Sequence, residues 1–339
     1  MTNSQPENAK SFWLDKPIFL PLPKITLEHL LVTIIILLTV ISRFYMVGER
    51  VMSHDEVNHV VPSYELYTGQ GYSHNPVTHG PMQFHLLAAS YFLFGDTDFV
   101  SRAPSAVFSI ATVVFVLFAF RRYLGRTGAL LSGLFFMISP FMLFYGRYTR
   151  NEAFIGLFSV VLLYAVLHYL EKGKHSTLYL YTAVLALYFC TKETSFIFTA
   201  EMLIFLALIF IKDVNQKEWR LPANRSTFIL LTIVALLFLG VTLGLGVISS
   251  KTTSIAAPAT LDPAMDGLAA VSSSLPVLKI MEYVFIGLTA LALVLAIVLV
   301  LRGFGWKNLC SIRSFDLLLL TFTLVLPQLI AFPISMLGW

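Results

Sequence analysis

A series of long apolar stretches constrains this chain more than any other feature. Windows of about 20 mostly apolar residues, the length of a membrane-spanning helix, recur nine times along the 339 residues. They lie near 26–47, 100–120, 127–146, 153–170, 176–190, 194–212, 226–249, 277–301 and 315–338. A backbone inside a bilayer must satisfy its own hydrogen bonds, so each window predicts a helix. The fold class predicted is therefore an all-α polytopic membrane protein with about nine transmembrane helices.

Composition supports this reading and excludes other classes. Charged residues make up 12% of the chain, against about 25% in soluble domains. This excludes a soluble enzyme, a disordered chain and a nucleic-acid-binding module. The net charge of +4 comes from basic residues in short loops, which is an orientation signal and predicts no nucleic-acid partner.

The distribution of Lys and Arg predicts the orientation. With the N-terminus in the cytoplasm, the inner segments hold 15 of the 23 basic residues, as the positive-inside rule requires. The outer segments are then 47–99, 146–152, 190–195 and 250–276. Within the first of them, residues 82–95 are apolar but too short to span, which predicts a helix at the interface. We expect a multi-pass plasma-membrane protein surrounded by membrane lipids.

The first outer segment contains an acidic pair, Asp55 and Glu56, shortly after the first span. A carboxyl group at a membrane boundary is partly desolvated, which raises its pKa and suits it to proton abstraction. The alternative is a capped surface helix with solvated acids, because Ser53 and Glu56 have the spacing of a capping box.

Two short outer turns carry further charges. Arg147, Arg150 and Glu152 join the third and fourth spans, and Lys192 with Glu193 follows the fifth. Arginine suits phosphate oxygens and lysine serves as a point charge for them. The alternatives are arginines that reach lipid head groups and a Lys192–Glu193 pair. We expect the three charged segments to meet at one membrane face.

Histidine and cysteine complete the candidate chemistry. His54, His59 and His79 lie in the first outer segment. His54 and His59 flank the acidic pair and suggest a divalent metal, but the order H-D-E-x-x-H differs from the zincin motif. Cys190 and Cys310 are predicted at opposite membrane faces, so no disulfide is expected.

Taken in order, these motifs resemble the GT-C glycosyltransferases, nearest to the protein O-mannosyltransferases, the aminoarabinose transferases of lipid A and a prokaryotic branch often labelled flippase-associated. The resemblance covers about residues 25–215. It rests on Asp55-Glu56, His79-Gly80-Pro81-Met82-Gln83, Phe94-Gly95, Arg102-Ala103-Pro104-Ser105-Ala106, Arg147 to Glu152, and Thr191-Lys192-Glu193. Gly80 replaces the usual proline, and Glu152 stands where aspartate is commoner.

The resemblance implies an inverting transfer of sugar from a polyprenyl-phosphate donor to an acceptor hydroxyl on the outer face. Asp55 would be the general base and Glu56 would orient it. The donor phosphate would bind Arg147, Arg150 and Lys192. Supporting residues would be His79, Glu152, Glu193, His54 and His59. Cationic side chains neutralise the leaving phosphate, so no cofactor is required, and a divalent metal is the less favoured alternative.

The resemblance also implies an organisation. Residues 1–25 form a cytoplasmic segment, 26–215 the catalytic membrane module, and 216–339 a variable transmembrane module. Family members are usually longer, and the end of this chain in an apolar stretch leaves open that the last module is incomplete. Two other functions remain open: a non-catalytic membrane subunit of a larger complex, and a lipid flippase or transporter component. A metalloprotease is disfavoured by the order of the His and Glu residues.

Overall fold

The structure is a computed structural model that describes residues 12–18, 25–73, 79–256 and 266–336. Its regular elements are helical, which confirms the predicted fold class. The chain divides into two compact units, Met1–Ile204 with Leu319–Trp339, and Phe205–Leu318.

The first unit contains most of the predicted motifs. Its helices are α1 (Leu27–Phe44), α2 (His54–Thr68), α3 (Met82–Phe94), α4 (Asp98–Ala119), α5 (Arg121–Ile138), α6 (Pro140–Tyr145), α7 (Glu152–Lys172) and α8 (His175–Phe189). The chain then continues through α9 (Thr194–Gln216), α10 (Pro222–Ala256), α11 (Asp266–Gly303), α12 (Trp306–Leu309) and α13 (Arg313–Met336).

All nine predicted windows fall on helices of the described residues, although two of the windows do not form a single helix of spanning length. Six helices, each with 18 or more described residues, are long and apolar enough to span a bilayer: α1, α4, α7, α9, α10 and α11. The window 127–146 is divided between α5 and α6, and 176–190 is a helix of 15 residues. The window 315–338 coincides with α13 but extends beyond the described residues. The short stretch 82–95 is the 13-residue helix α3, as predicted.

Helix α4 is the centre of the first unit, where it packs on α1, α3, α5 and α7. Ser101, Ser105, Ser109 and Thr112 form a buried stripe on it, with the spacing of one helical face. Small polar residues let membrane helices approach closely. Large apolar residues elsewhere in the unit, such as Ile41 at 57% exposure, face outward. Small polar side chains are therefore buried along α4, whereas large apolar side chains elsewhere in the unit are exposed.

A buried arginine donates hydrogen bonds to the backbone at the break between α5 and α6. Pro140 lacks an N–H, so the carbonyl of Phe136 loses its helical partner. Arg43, which is fully buried at the end of α1, donates to Phe136 O at 3.2 Å and to Met137 O at 2.7 Å. It also donates to Ser109 Oγ at 3.2 Å. This one side chain thus joins α1, α4 and the broken helix.

The second unit has its own core. Helices α10 and α11 pack along each other. The buried cluster at their ends consists of Val214, Trp219, Phe228, Ala296, Val300, Phe304, Leu309 and Ile312. Residues 257–265, from the predicted outer segment 250–276, lie outside the described part of the chain.

The first outer segment is fastened to the turn between α8 and α9 through a glycine. Gly80 N–H donates to Thr191 O, and Met82 N–H donates to Cys190 O, both at 3.0 Å. A Cβ at Gly80 would lie 2.2 Å from Cys190 O. This close approach explains why glycine replaces the proline of the resembled motif: proline would both clash and lose the hydrogen bond.

We predict that Gly80→Ala destabilises the first unit by about 2 kcal/mol, because the backbone must move to admit the methyl group. Thermal unfolding of the purified protein in detergent measures the effect. Gly240→Ala is the matched control, since a Cβ there meets nothing within 4 Å and alanine favours a helix. An unchanged unfolding temperature for Gly80→Ala would contradict the proposed docking.

Candidate active site

The three charged outer segments meet at one end of the first unit, as predicted. Arg150 NH1 donates to Asp55 Oδ2 at 2.9 Å, and Lys192 Nζ donates to Glu152 Oε1 at 2.8 Å. Arg150 Nε lies 3.6 Å from Glu152 Oε2. Asp55, Arg150, Glu152 and Lys192 therefore form one chain of alternating charges, which we call the outer cluster.

Local sequence explains how α2 presents the acidic pair. Ser53 caps the helix: its side chain accepts from Glu56 N–H, and Glu56 Oε2 accepts from Ser53 N–H at 3.1 Å. The predicted capping box is confirmed. The box fixes the first turn, so that Asp55 and Glu56 point to different surroundings. The Asp55 side chain is 54% exposed, whereas Glu56 is fully buried.

Glu56 is the centre of a buried hydrogen-bond network. Its two oxygens accept from Arg102 Nε at 2.8 Å and Arg102 NH2 at 3.0 Å. Further donors are Arg50 NH2 at 2.8 Å and the N–H of Thr149 at 3.2 Å. Burial raises the pKa of Glu56, but the Arg102 hydrogen bonds and the backbone donors outweigh it, and the pKa falls below its ordinary value. Glu56 is thus an ionised structural anchor with no lone pair to spare for a substrate.

Arg102 was recognised only as part of a sequence motif, and its role as the buried partner of Glu56 was not predicted. Its side chain is fully buried, and NH1 also donates to Val47 O at 2.8 Å and Arg50 O at 2.9 Å. It therefore holds the loop after α1 to α4. Its charge inside a span window was the available signal, because buried charges in membrane helices require a partner.

The histidines occupy different places. His79 Nδ1 lies 2.8 Å from Glu193 Oε2, and its ring stacks on His59 at 5.9 Å. His59 is buried at 4% exposure. His54 is exposed and lies by Asn58, outside these contacts. In the described ranges, no three His, Cys, Asp or Glu side chains gather closely enough to hold a metal ion.

Burial, together with the positive charges of His79 and Arg150, lowers the pKa of His59 to about 4. His59 is therefore neutral at physiological pH. Its Nδ1 has no hydrogen-bond partner in the described part of the structure. Its uncharged ring lies beside the outer cluster.

Arg147 does not join the outer cluster. Its NH1 donates to Ser42 O at 2.9 Å and its NH2 to Tyr45 O at 2.7 Å, the free carbonyls at the end of α1. Between the two arginines, Tyr148 and Thr149 are buried. Arg147 and Arg150 thus leave the turn on different sides, which the sequence spacing did not reveal.

Several buried polar groups near these turns are unsatisfied. Among the described residues, the amides of Gln83 and Asn151, Ser195 Oγ and Glu152 Oε2 have no hydrogen-bond partner. Native proteins rarely leave such groups unpaired without water or a ligand. The end of the unit that carries the outer cluster therefore has spare hydrogen-bonding capacity.

Both cysteines are free, as predicted. Cys190 contributes only its backbone to the site, through the carbonyl that accepts from Met82 N–H.

A comparison with known families finds a match for part of the chain. Residues 78–235 match the family model described as dolichyl-phosphate-mannose-protein mannosyltransferase. Over this segment the resemblance is confirmed, and it indicates a membrane glycosyltransferase of the mannosyltransferase type. The matched segment contains Arg150, Glu152 and Lys192, and it begins after Asp55. No curated protein and no solved structure matches the chain.

We predict that isosteric variants of two neighbouring residues differ in stability. Glu56→Gln leaves Arg102 buried without its carboxylate and costs about 3 kcal/mol or more of unfolding free energy. Asp55→Asn changes a half-exposed group and leaves stability near that of the parent protein. Thermal unfolding in detergent compares the two. Equal stability of both variants would show that Glu56 is not the anchor.

We also predict a pH dependence from His59. The unfolded side chain has a pKa of about 6.5, so between pH 6.5 and 4 the unfolded state binds more protons than the folded state. Stability therefore falls as the pH decreases through this window, by up to about 3 kcal/mol. His59→Gln should flatten this part of the unfolding profile, whereas His54→Gln, at an exposed position, should not. Identical slopes for both variants would refute the assignment.

Proposed function

We propose that the protein transfers a sugar of the mannose type from a polyprenyl-phosphate donor to an acceptor hydroxyl on the outer membrane face, with inversion. The observation that carries the proposal is the outer cluster. It places an accessible carboxylate next to cations that suit a phosphate, at the end of a membrane-embedded unit.

Asp55 is the base in this proposal. Its carboxylate is exposed and is bonded to one arginine, whereas the carboxylate of Glu56 is saturated with donors. Asp55 takes the proton of the acceptor hydroxyl, whose oxygen forms a bond to the anomeric carbon. The bond from that carbon to the phosphate oxygen breaks on the opposite face, and its electron pair leaves with the phosphate. Proton transfer by a positioned side chain contributes about 10²–10⁴-fold.

Arg150 and Lys192 receive the phosphate. In the ligand-free protein they are paired with Asp55 and Glu152, so a phosphate has to replace these partners. Their positive charge stabilises the leaving group as it develops, and no metal is needed for that purpose. Glu152 holds Lys192 in place, and the His79–Glu193 pair forms the neighbouring wall.

A catalytically silent membrane subunit is the second candidate. It is favoured by the ion pair itself, because the Asp55 oxygen that Arg150 holds at 2.9 Å is already occupied in the ligand-free protein. The start of the family match after Asp55 points in the same direction. Sugar transfer by the purified protein distinguishes the enzyme from the silent subunit.

We predict that Asp55→Asn lowers transfer by at least about 100-fold. The protein is reconstituted in vesicles with radiolabelled polyprenyl-phosphate mannose and a membrane extract as the source of acceptors, and loss of label from the donor is followed. Glu65→Gln is the control, since it removes another carboxylate of α2. Arg150→Gln and Lys192→Gln should weaken donor binding, measured by competition with unlabelled polyprenyl phosphate.

Two results would count against the enzyme. Wild-type transfer by a folded Asp55→Asn protein would eliminate the proposed base. No transfer by the parent protein, together with purification in fixed stoichiometry with another membrane protein, would establish the silent subunit.

A further inference from the structure

A second cationic pocket lies at the end of α1, apart from the outer cluster. A cavity of about 450 Å³ opens between the loop after α1 and helix α6. Arg50 and Arg147 line it, together with apolar side chains that include Met46, Leu143 and Phe144. Two cations on an otherwise apolar wall suit a ligand with an anionic head and an apolar body.

Positive charge exceeds negative charge at this pocket. Arg147 is held by two carbonyls, and in the described ranges no carboxylate lies within ion-pair distance of it. Arg50 must share Glu56 with Arg102. Arg43, immediately behind, is bonded to carbonyl and hydroxyl oxygens. The free carbonyls of a helix end carry only about half a negative charge, so the pocket keeps an excess of positive charge that favours an anion.

An apolar groove runs along α1 and α5, the helix that precedes α6. It has a volume of about 240 Å³ between α1 and α5, and its walls include Ile34, Leu38, Leu134 and Met137. Met137 lies one turn before Pro140, which lines the cationic pocket. The pocket is at the end of a predicted span, the level of phospholipid phosphates. The cationic pocket and the apolar groove are thus arranged in the same order as the head group and the acyl chain of a bilayer lipid.

We propose that the Arg50–Arg147 pocket binds the phosphate of an anionic glycerophospholipid, with an acyl chain in the groove between α1 and α5. The same phosphate chemistry exists in a polyprenyl phosphate. However, a donor phosphate has to lie beside the base, and Arg147 is turned away from Asp55, Glu152 and Lys192. The site is therefore distinct from the proposed catalytic one and does not depend on transfer activity.

Lipid titration of the full chain tests the proposal. The protein, purified in a neutral detergent, is titrated with phosphatidylglycerol or with phosphatidylcholine of the same chains, and bound lipid is counted by native mass spectrometry. We expect phosphatidylglycerol to bind about tenfold more tightly, because it has a net negative charge, whereas the choline cation of phosphatidylcholine offsets the phosphate charge and is repelled by the two arginines. Arg50→Gln and Arg147→Gln should each remove about tenfold of this affinity. Arg150→Gln, on the other side of the turn, should retain it.

Three results would overturn the proposal. One is equal binding of the two lipids by the parent protein. Another is unchanged phosphatidylglycerol affinity in folded Arg50→Gln, which decides the matter even when Arg147→Gln fails to fold, because the Arg50 side chain is 48% exposed. The third is displacement of phosphatidylglycerol by polyprenyl phosphate in the parent protein, which would make the pocket a donor subsite.

Discussion

The buried pair of Glu56 and Arg102 is the interaction on which the rest of the site depends. Both side chains are fully excluded from solvent, so each would be prohibitively costly without the other. Through this pair the start of α2 is fixed to α4, and the loop after α1 is held by the remaining donors of Arg102. Thr149 N–H, which also donates to Glu56, fixes the turn before α7 to the same point. One carboxylate therefore sets the relative position of two of the three charged segments.

Because of the Glu56–Arg102 pair, neighbouring residues with similar side chains have different surroundings. Asp55 and Glu56 are adjacent carboxylates, but one is exposed and the other is saturated with donors. Arg147 and Arg150 are three positions apart, but the buried Tyr148 and Thr149 between them direct one to the end of α1 and the other to the outer cluster. The proposed base and the proposed lipid site thus lie on either side of a single buried network. In these two proposals, the donor phosphate and the phosphate of the lipid are therefore held apart.

Much of the fold and part of the site could be predicted from the sequence, because a bilayer requires long apolar helices and favours charged residues at their ends. Apolar length identified every helix window, and short mixed-charge turns at span ends predicted that the outer segments meet. The capping box at Ser53 followed from local spacing. What could not be predicted depends on tertiary contacts: the division of 127–146 by Pro140, the direction of Arg147, and the saturation of Glu56 by Arg102. A sequence shows which groups carry charge, but burial and partner geometry decide whether that charge is available for chemistry. The predicted orientation and the division at residue 215 remain predictions.

The pairing within the outer cluster links donor binding to the base in the proposed reaction. Without ligand, Arg150 neutralises Asp55 and Lys192 neutralises Glu152, so the cluster is close to electrically balanced. A phosphate that binds the two cations competes with both carboxylates. As Arg150 turns to the phosphate, Asp55 Oδ2 loses its hydrogen-bond donor and becomes free to accept from the acceptor hydroxyl. In this proposal the carboxylate is fully free to accept the proton only when the donor is bound. Such coupling follows from the alternating order of charges in the outer cluster.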